Sequence, residues 1–515
     1  MVKYLIFLLF PLFLAAEPFK VATYNVENLF DSVYQGSEYK EYVPGHHNWN
    51  ANTAQIKLNH TAEVICDLDA DIIGLQEIEN QNVLEQLQKR LEEVGCPYPY
   101  TAITHKAQAT IQVALLSKFP VRKPNELIVK DDPKVRNILE VELEVHGKPL
   151  IVFVNHWKSK SNGGYESKRV AYASLLKKRL LSLHEDSDYL IIGDLNSDYD
   201  AFMTLDERID DAHGYTAINH ELSTLSNDHL LQKSQMPKAP IGSHFNPWQE
   251  LSLSKRWSHQ YFQSKNTLDH LLLPKSMFDG KGIDYIDNSF NVFKTSYLIG
   301  KKGRINRWQY RKGKHGTKGY SDHLPVFALF DTKPFKANND AFQETPLMEK
   351  DIEFFYTLKD AQKEFVIKNA VVLMKRNQSA IIKQSPQGRG IYLYRCAGSL
   401  QQGHRYDLVV GDITEYQGLK EIRYIQKLKD KGRVDTRAFF TANDLVQNQV
   451  LSGITGIYHG KRFEFNGKSF PIHFKNKQDI PPLGSKLRLH YVHLGYYKQL
   501  QLVVYSKKDF SIVGR

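Results

Sequence analysis

The stretch YLIIGDLNSD, Tyr189 to Asp198, joins two kinds of sequence that do not belong in one core strand. Its first half is an apolar run closed by Gly193, the composition of a strand buried on both faces. Its second half sets Asp194 and Asn196 two residues apart, a spacing that in an extended chain places both on one side. What an acid and an amide do at the end of such a strand depends on what the rest of the chain brings beside them.

The same grammar recurs on either side. FKVATYNV, ADIIGLQEI, IQVALLSK and ILEVELEVHGKPLIVFVNHW also read as strands, the last folded into a hairpin at HGKP. Between them AQIKLNHTAEVICDL, NVLEQLQKRLEEVG and SKRVAYASLLKKRLLSLHE carry helical periodicity. Alternating strands and helices with a hairpin predict an α/β domain over residues 17–333, with mixed rather than purely parallel sheets. The polar stretch around KPFKANNDAFQETPLMEKD then predicts a linker over 334–360. Beyond it the chain is β-rich and repeats itself. GHRYDLVVGDITEYQGLKEI from Gly403 and GSKLRLHYVHLGYYKQLQLV from Gly484 superpose without gaps, pairing Leu408 with Leu489, Ile413 with Leu494, Tyr416 with Tyr497 and Leu419 with Leu500. Two tandem small barrels are predicted, over 361–428 and 445–507, the second less regular.

With 515 residues the chain is too long for one core, and 42% apolar and 24% charged residues are the proportions of a folded protein. MVKYLIFLLFPLFLAAEPF opens with one lysine, an apolar run too short to span a bilayer and two alanines. It reads as a signal peptide over residues 1–16, so the mature protein is expected to be exported, periplasmic or extracellular, with no membrane span. The cysteines, Cys66, Cys96 and Cys396, are odd in number; a Cys66–Cys96 bridge and three buried thiols both fit. The net charge of +11 is unevenly spread. Up to Lys333 there are 39 Lys/Arg against 40 Asp/Glu, and from Pro334 onward 29 against 17. The last third therefore carries the whole positive excess, which fits an anionic partner or a solvated basic surface equally.

Several apolar runs end in a polar cluster. TYNVENLF closes on Asn25, GLQEIEN on Glu77, VNHWKSK on His156 and GDLNSD on Asp194 and Asn196. Asp269 in NTLDHLLLP and Asp322 and His323 in SDHLPV lie beside further strands. Singly, an acid there is a turn former or helix cap and a histidine a satisfied polar residue. Together they converge, because strand ends meet at one rim of a sheet, where ligands bind.

These segments, in this order, resemble the endonuclease/exonuclease/phosphatase superfamily of DNase I-like nucleases and abasic-site endonucleases, over roughly Phe19 to Phe330. The resemblance implies a four-layer α/β sandwich, two mixed sheets face to face under flanking helices, and metal-dependent hydrolysis of a phosphate ester. It implies Mg²⁺ or Mn²⁺ on hard oxygen ligands, with Glu77 first, Asn25 close by and Asp322 contributing. Asp194 would orient or deprotonate the attacking water and Asn196 would donate to a phosphate oxygen. His323, held by Asp269, would be the cationic or proton-transferring partner, and His156 a second donor to the phosphate. One or two metals, and aspartate or histidine as general base, both remain compatible with the sequence. Many relatives carry an RID-like pattern around the aspartate that stands here in TLDH, so the surroundings of Asp269 depart from the family pattern.

The superfamily also includes lipid and inositol-phosphate hydrolases, so the substrate needs its own argument. GKKGRINRWQYRKGKHGTKGY, Gly300 to Tyr320, holds eight Lys/Arg and no acid and runs directly into SDH. Arg304, Arg307, Trp308, Tyr310 and Arg311 are expected to contact a phosphate backbone, with Lys158, Lys160 and Arg169 extending that surface. The basic C-terminal modules resemble oligonucleotide-binding (OB) folds, which also bind sugars and proteins. No apolar hairpin for membrane insertion is present. The sequence therefore points to an exported nuclease acting on DNA, with RNA a further candidate, at low sequence specificity. The competing readings are a lipid or inositol-phosphate phosphodiesterase and a non-catalytic binder of nucleic acid or envelope polymer.

Overall fold

Ten strands carry the first part of the chain: β1 (Phe19–Leu29), β2 (Ile72–Ile78), β3 (Tyr100–Ile103), β4 (Gln112–Ser117), β5 (Val121–Leu127), β6 (Ile138–Val145), β7 (Lys148–His156), β8 (Tyr189–Asp194), β9 (Asp269–Pro274) and β10 (Val326–Asp331). The structure is a computed structural model and describes residues 18–132, 134–161, 163–205, 208–252, 255–261, 264–300, 303–337, 347–359, 361, 363–398, 400–440 and 444–514. The expected signal peptide lies outside the described residues, as does part of the expected linker.

One sheet runs β10-β1-β2-β4-β3 and the other β9-β8-β7-β6-β5, each extended at its first edge by short strands. β1–β2 and β7–β8 are parallel and the remaining pairs antiparallel, so both sheets are mixed. Alternation along β8 shows why its whole apolar run is buried. Leu190 and Ile192 enter the core between the sheets, whereas Tyr189 and Ile191 enter a second core on the outer face. That outer core is completed by Tyr172, Leu176 and Leu180 of α3 (Glu166–Leu180). On the other sheet, α1 (Ala51–Leu68) and α2 (Gln81–Glu93) supply Ile65, Leu68, Leu84, Leu87 and Leu91. Asn50 and Asn80 cap these helices by accepting from the backbone N–H of Thr53 and Val83, worth about 1 kcal/mol each. The result is the expected four-layer α/β sandwich.

The sheets meet closely at Gly74, where a Cβ would stand 2.7 Å from Ile192 Cδ1. Gly193 is constrained further: its φ is +131° and a Cβ would lie 2.1 Å from the Asn155 carbonyl oxygen. That glycine lets β8 press against β7 just before the chain delivers Asp194.

Cys66 at the end of α1 and Cys96 after α2 form a disulfide spanning 30 residues, and Cys396 is unpaired. Closing a loop of that length stabilises the fold by roughly 3.6 kcal/mol in the chain-entropy account. The double variant Cys66→Ser/Cys96→Ser is expected to lose most of this, read as a lower urea midpoint. An unchanged midpoint would show that the bridge contributes nothing.

The C-terminal region is all-β. Strands Phe365–Arg376, Ser379–Lys383, Gly390–Leu393, His404–Tyr416 and Leu419–Arg433 close a five-stranded barrel in the order first-second-third-fifth-fourth, consistent with an OB-like module. The short helix Ile352–Phe355 falls in the stretch expected to be linker, yet Ile352 and Phe355 fill this barrel's core. The last strand also runs past 428, to Arg433. The second unit is an eight-stranded sheet from Val450 to Gly514 rather than a closed barrel. The repeated sequence forms a hairpin in both units, but with different turns: Tyr416 pairs with Leu419 across two residues, and Tyr497 with Gln499 across one. No helix among the described residues is long and apolar enough to cross a membrane.

Candidate active site

Three adjacent strand ends of the second sheet meet in register, with Asp194 opposite His156 on one side and Asp269 on the other. The first sheet reaches the same rim through Asn25. Its Nδ2 donates to Asp194 Oδ2 at 3.1 Å and to Glu77 Oε1 at 3.1 Å, tying the two sheets together. Glu77 sits where the β2–β4 register slips between Gln76 and Ile78, with φ at 67°. Such a bulge re-aims a side chain at a sheet edge, and Glu77 lines the cleft.

The remaining members come from either end of the fold. His323 Nδ1 lies 2.9 Å from Asp269 Oδ2, and Ser258 Oγ donates to the same oxygen. His323 Nε2 stands 3.9 Å from Asp194 Oδ2 and 3.9 Å from Asp322 Oδ1. Opposite it, His156 Nε2 stands 3.6 Å from Asp194 Oδ2 and 3.7 Å from Glu77 Oε1. Asp194 is thus flanked by two imidazoles at distances that leave no direct hydrogen bond. Ser321 locks the arrangement, its hydroxyl donating to the Asn25 carbonyl and accepting from the His323 backbone N–H.

Burial and charge give the two histidines opposite states. Burial lowers the His156 pKa far below its ordinary value, with Arg136 and His323 adding to the effect, so His156 is neutral. Burial acts the same way on His323, but Asp269, Asp194 and Asp322 outweigh it and raise its pKa well above the ordinary value. His323 is therefore an imidazolium at neutral pH. Burial raises Asp194 to about 7, Asp269 adding and His323 opposing.

Oxygen donors suited to a hard cation are present. Glu77 uses Oε1 toward Asn25, and its Oε2 takes no partner among the described residues. Asp194, Asp269 and His323 also bring one ligand atom each within 4.8 Å of one another. With its proton on, His323 offers only donors, so in this state the trio can handle a proton.

The sequence profile of the endonuclease/exonuclease/phosphatase family matches residues 20–332. The chain belongs to this family. Among solved structures, a humanized TDP2 of D. rerio with 14 mutations is 14% identical, covering 61% of this chain and 98% of its own, at TM-score 0.38. An AP endonuclease from Archaeoglobus fulgidus is 12% identical, covering 61% and 99%, at 0.38. An endonuclease/exonuclease/phosphatase family protein from Bacteroides thetaiotaomicron is 14% identical, covering 61% and 98%, at 0.37. No curated protein matches the sequence.

Several residues of this family member stand differently from the sequence expectation. Asn196 is not the next inward position of an extended strand, because β8 ends at Asp194 and Asn196 has φ at 49°. Its backbone N–H donates to Asp194 Oδ1 and its Nδ2 to the Trp157 carbonyl, so it braces the aspartate through a turn while still lining the cleft. Arg169 is not a substrate contact: it is fully buried, bound to Glu166 and to the Lys158 and Gly164 carbonyls. Trp308 is likewise buried, packed with Phe30, Tyr42 and Trp49 and donating to His315.

The basic segment folds into small hairpins in which Arg304, Tyr310 and Arg311 are exposed. Arg307 lines the cleft and pairs with Glu27 and Asp322. Lys160 lines it too, paired with Asp198, while Lys158 is half-buried.

Two residues were not marked by the sequence. The His259 ring lies 4.5 Å from that of His323, and Arg136 Nε donates to the His156 carbonyl at 2.9 Å. Neither ends an apolar run; Ser258 and His259, side by side before β9, would have been the only local signal.

Proposed function

We propose that the protein is an exported, Mg²⁺- or Mn²⁺-dependent phosphodiesterase that hydrolyses DNA with little sequence specificity. The observation that carries this reading is the convergence of Asn25, Glu77, His156, Asp194, Asp269 and His323 at one rim, with His156 neutral and His323 cationic. Glu77, with Asn25 and Asp322 beside it, would hold the cation. When bound, such an ion polarises the phosphoryl oxygen and stabilises the leaving alkoxide. Asp194, poised near neutrality, takes the proton of the attacking water. His323 supplies positive charge and a proton on the opposite side, its ring fixed by Asp269. His156 donates a neutral hydrogen bond to a phosphate oxygen. The roles of base and acid are thereby separated by environment, the carboxyl raised and the imidazolium stabilised.

Nucleic acid is favoured as substrate by the positive C-terminal excess and by the basic segment leading into Asp322 and His323. Export is supported by the Cys66–Cys96 bridge, which persists in oxidising compartments. The test is nicking of supercoiled plasmid under Mg²⁺ and Mn²⁺ titration, with sphingomyelin vesicles assayed in parallel. Nicking that stops with EDTA and returns with either ion is expected. Undiminished nicking in EDTA overturns the metal requirement, and vesicle hydrolysis without nicking overturns the choice of DNA.

A further inference from the structure

The cleft that holds the catalytic residues is not a feature of the sandwich alone. Its volume is about 1040 Å³, and beside His156, Asp194 and His323 it is lined by Arg395, Asp412 and Arg423 of the first barrel. The barrel is bonded to the sandwich at Tyr199, five positions beyond Asp194 in the sequence. Gln426 Nε2 of the barrel donates to Tyr199 Oη at 3.0 Å, and Arg256 Nη1 donates to the same oxygen at 2.8 Å. Tyr199 is buried in the main core, so the barrel is seated on an ordered part of the site.

On each side of the cleft basic side chains rest on an aromatic ring: Trp257, itself buried, in the sandwich, and Tyr394, just behind the cleft lining, in the barrel; burial pushes one of these groups, Lys294, down to about 7. On the sandwich side, Lys265 Nζ lies 4.6 Å and Lys294 Nζ 4.1 Å from the centre of the Trp257 ring. On the barrel side, the guanidinium carbons of Arg395 and Arg423 lie 5.4 and 5.7 Å from the centre of the Tyr394 ring. Further cations of the cleft are engaged in place, Lys160 with Asp198, Arg307 with Glu27 and Asp322, and Arg256 with Tyr199 and the Gln249 carbonyl, and Arg423 itself pairs with Glu421. Lys265 and Arg395 are exposed and have no ion pair among the described residues. Cations without an acid partner beside an exposed aromatic ring, here Tyr261, are what a single nucleic-acid strand uses in a groove, its phosphates meeting the charges and its bases the ring. A cleft at the upper end of ligand-pocket size accepts a few nucleotides of one strand.

We propose that the first barrel is the second wall of a single-strand channel. In it Arg395 on the Tyr394 ring and Lys265 on the Trp257 ring hold a single-stranded polynucleotide on either side of the scissile phosphate. This rests on the nuclease reading and adds to it the strandedness of the substrate and the residues that select it.

The test uses the full chain and its Lys265→Ala/Arg395→Ala variant. The charge-matched control is Lys89→Ala/Lys178→Ala, on exposed positions of α2 and α3. The substrates are a labelled single-stranded oligonucleotide, the same sequence as a blunt duplex, and bis(4-nitrophenyl) phosphate, a diester too small to reach either wall. The parent should prefer the single strand. The channel variant should lose about 30-fold in kcat/KM on it, through KM. Its log–log salt slope for single-strand binding should be shallower by about 1.4, and the small diester should turn over as in the parent. Parental activity of the channel variant on the single strand overturns the channel and leaves the nuclease reading intact. Equal cleavage of duplex and single strand by the parent, with equal losses, overturns the selection of strandedness. Hydrolysis of the small diester with neither polynucleotide cleaved overturns the nuclease reading itself, and the channel with it.

Discussion

Asp194→Asn is expected to lower the turnover of DNA nicking by about 10²–10⁴-fold while leaving the melting temperature close to that of the parent. The carboxyl is buried and raised to about 7, so near neutral pH it exists in comparable amounts with and without its proton. That is the state in which a group both accepts a proton and releases it again. The amide keeps the shape and loses the basicity. It also loses an acceptor, because Oδ2 receives the Asn25 amide and Oδ1 the Asn196 backbone N–H, and an amide offers only one oxygen. The forfeited hydrogen bond costs about 1 kcal/mol. Removing a buried carboxylate offsets it, since burial already disfavours the charge. Turnover on supercoiled plasmid and calorimetric melting separate the two effects; turnover within tenfold of the parent would remove Asp194 from the proton transfer. Glu77→Gln supplies the complementary measurement. In the EDTA-stripped protein the Mn²⁺ concentration for half-maximal activity should rise for Glu77→Gln and stay near the parental value for Asp194→Asn.

Much of this site was legible because the same physics that buries a strand on both faces also makes its end rigid. Leu190 and Ile192 on one side of β8 and Tyr189 and Ile191 on the other leave that strand no freedom, and Asp194 is carried to the rim as a consequence. The same holds for Val152 and Val154 before His156 and for Val21 and Ala22 before Asn25. Legibility fails where position is set by a turn or by distant packing. Asn196 was placed by strand alternation, but a left-handed residue moves it to a bracing role. Arg169 and Trp308 read as surface residues of basic segments. One is neutralised by Glu166 three positions earlier on the same helix, the other covered by an aromatic cluster from residues 30–49. The barrel wall had no local sign at all, since Tyr199 and Gln426 are 227 positions apart.

Asp269→Asn is expected to move the alkaline limb of the pH–rate profile toward neutrality and to lower kcat by about 10²–10⁴-fold. The sign follows from the forces on His323. Burial alone would strip its proton below the ordinary value, and Asp269 is the first of the carboxylates that reverse this. In the parent the ring keeps its proton through neutral pH, and the rate falls only as pH rises through that raised pKa. On the acid side the rate falls as pH drops below about 7, where Asp194 becomes protonated. The parental profile is therefore a bell whose maximum lies on the alkaline side of neutrality. An amide at position 269 still meets His323 Nδ1 but brings no charge, so burial prevails and the ring deprotonates earlier. The bell narrows from its alkaline side. Ser258 donates to the same Asp269 oxygen, and Ser258→Ala, which keeps the carboxylate, should leave the alkaline limb in place. His323→Gln should remove that limb altogether, leaving a low rate that no longer declines at high pH. A uniform loss in Asp269→Asn, with both limbs unmoved, would mean that Asp269 only positions the ring. The charge on His323 would then have to come from Asp194 and Asp322 alone, which stand 3.9 Å from its other nitrogen and must share that nitrogen with the substrate.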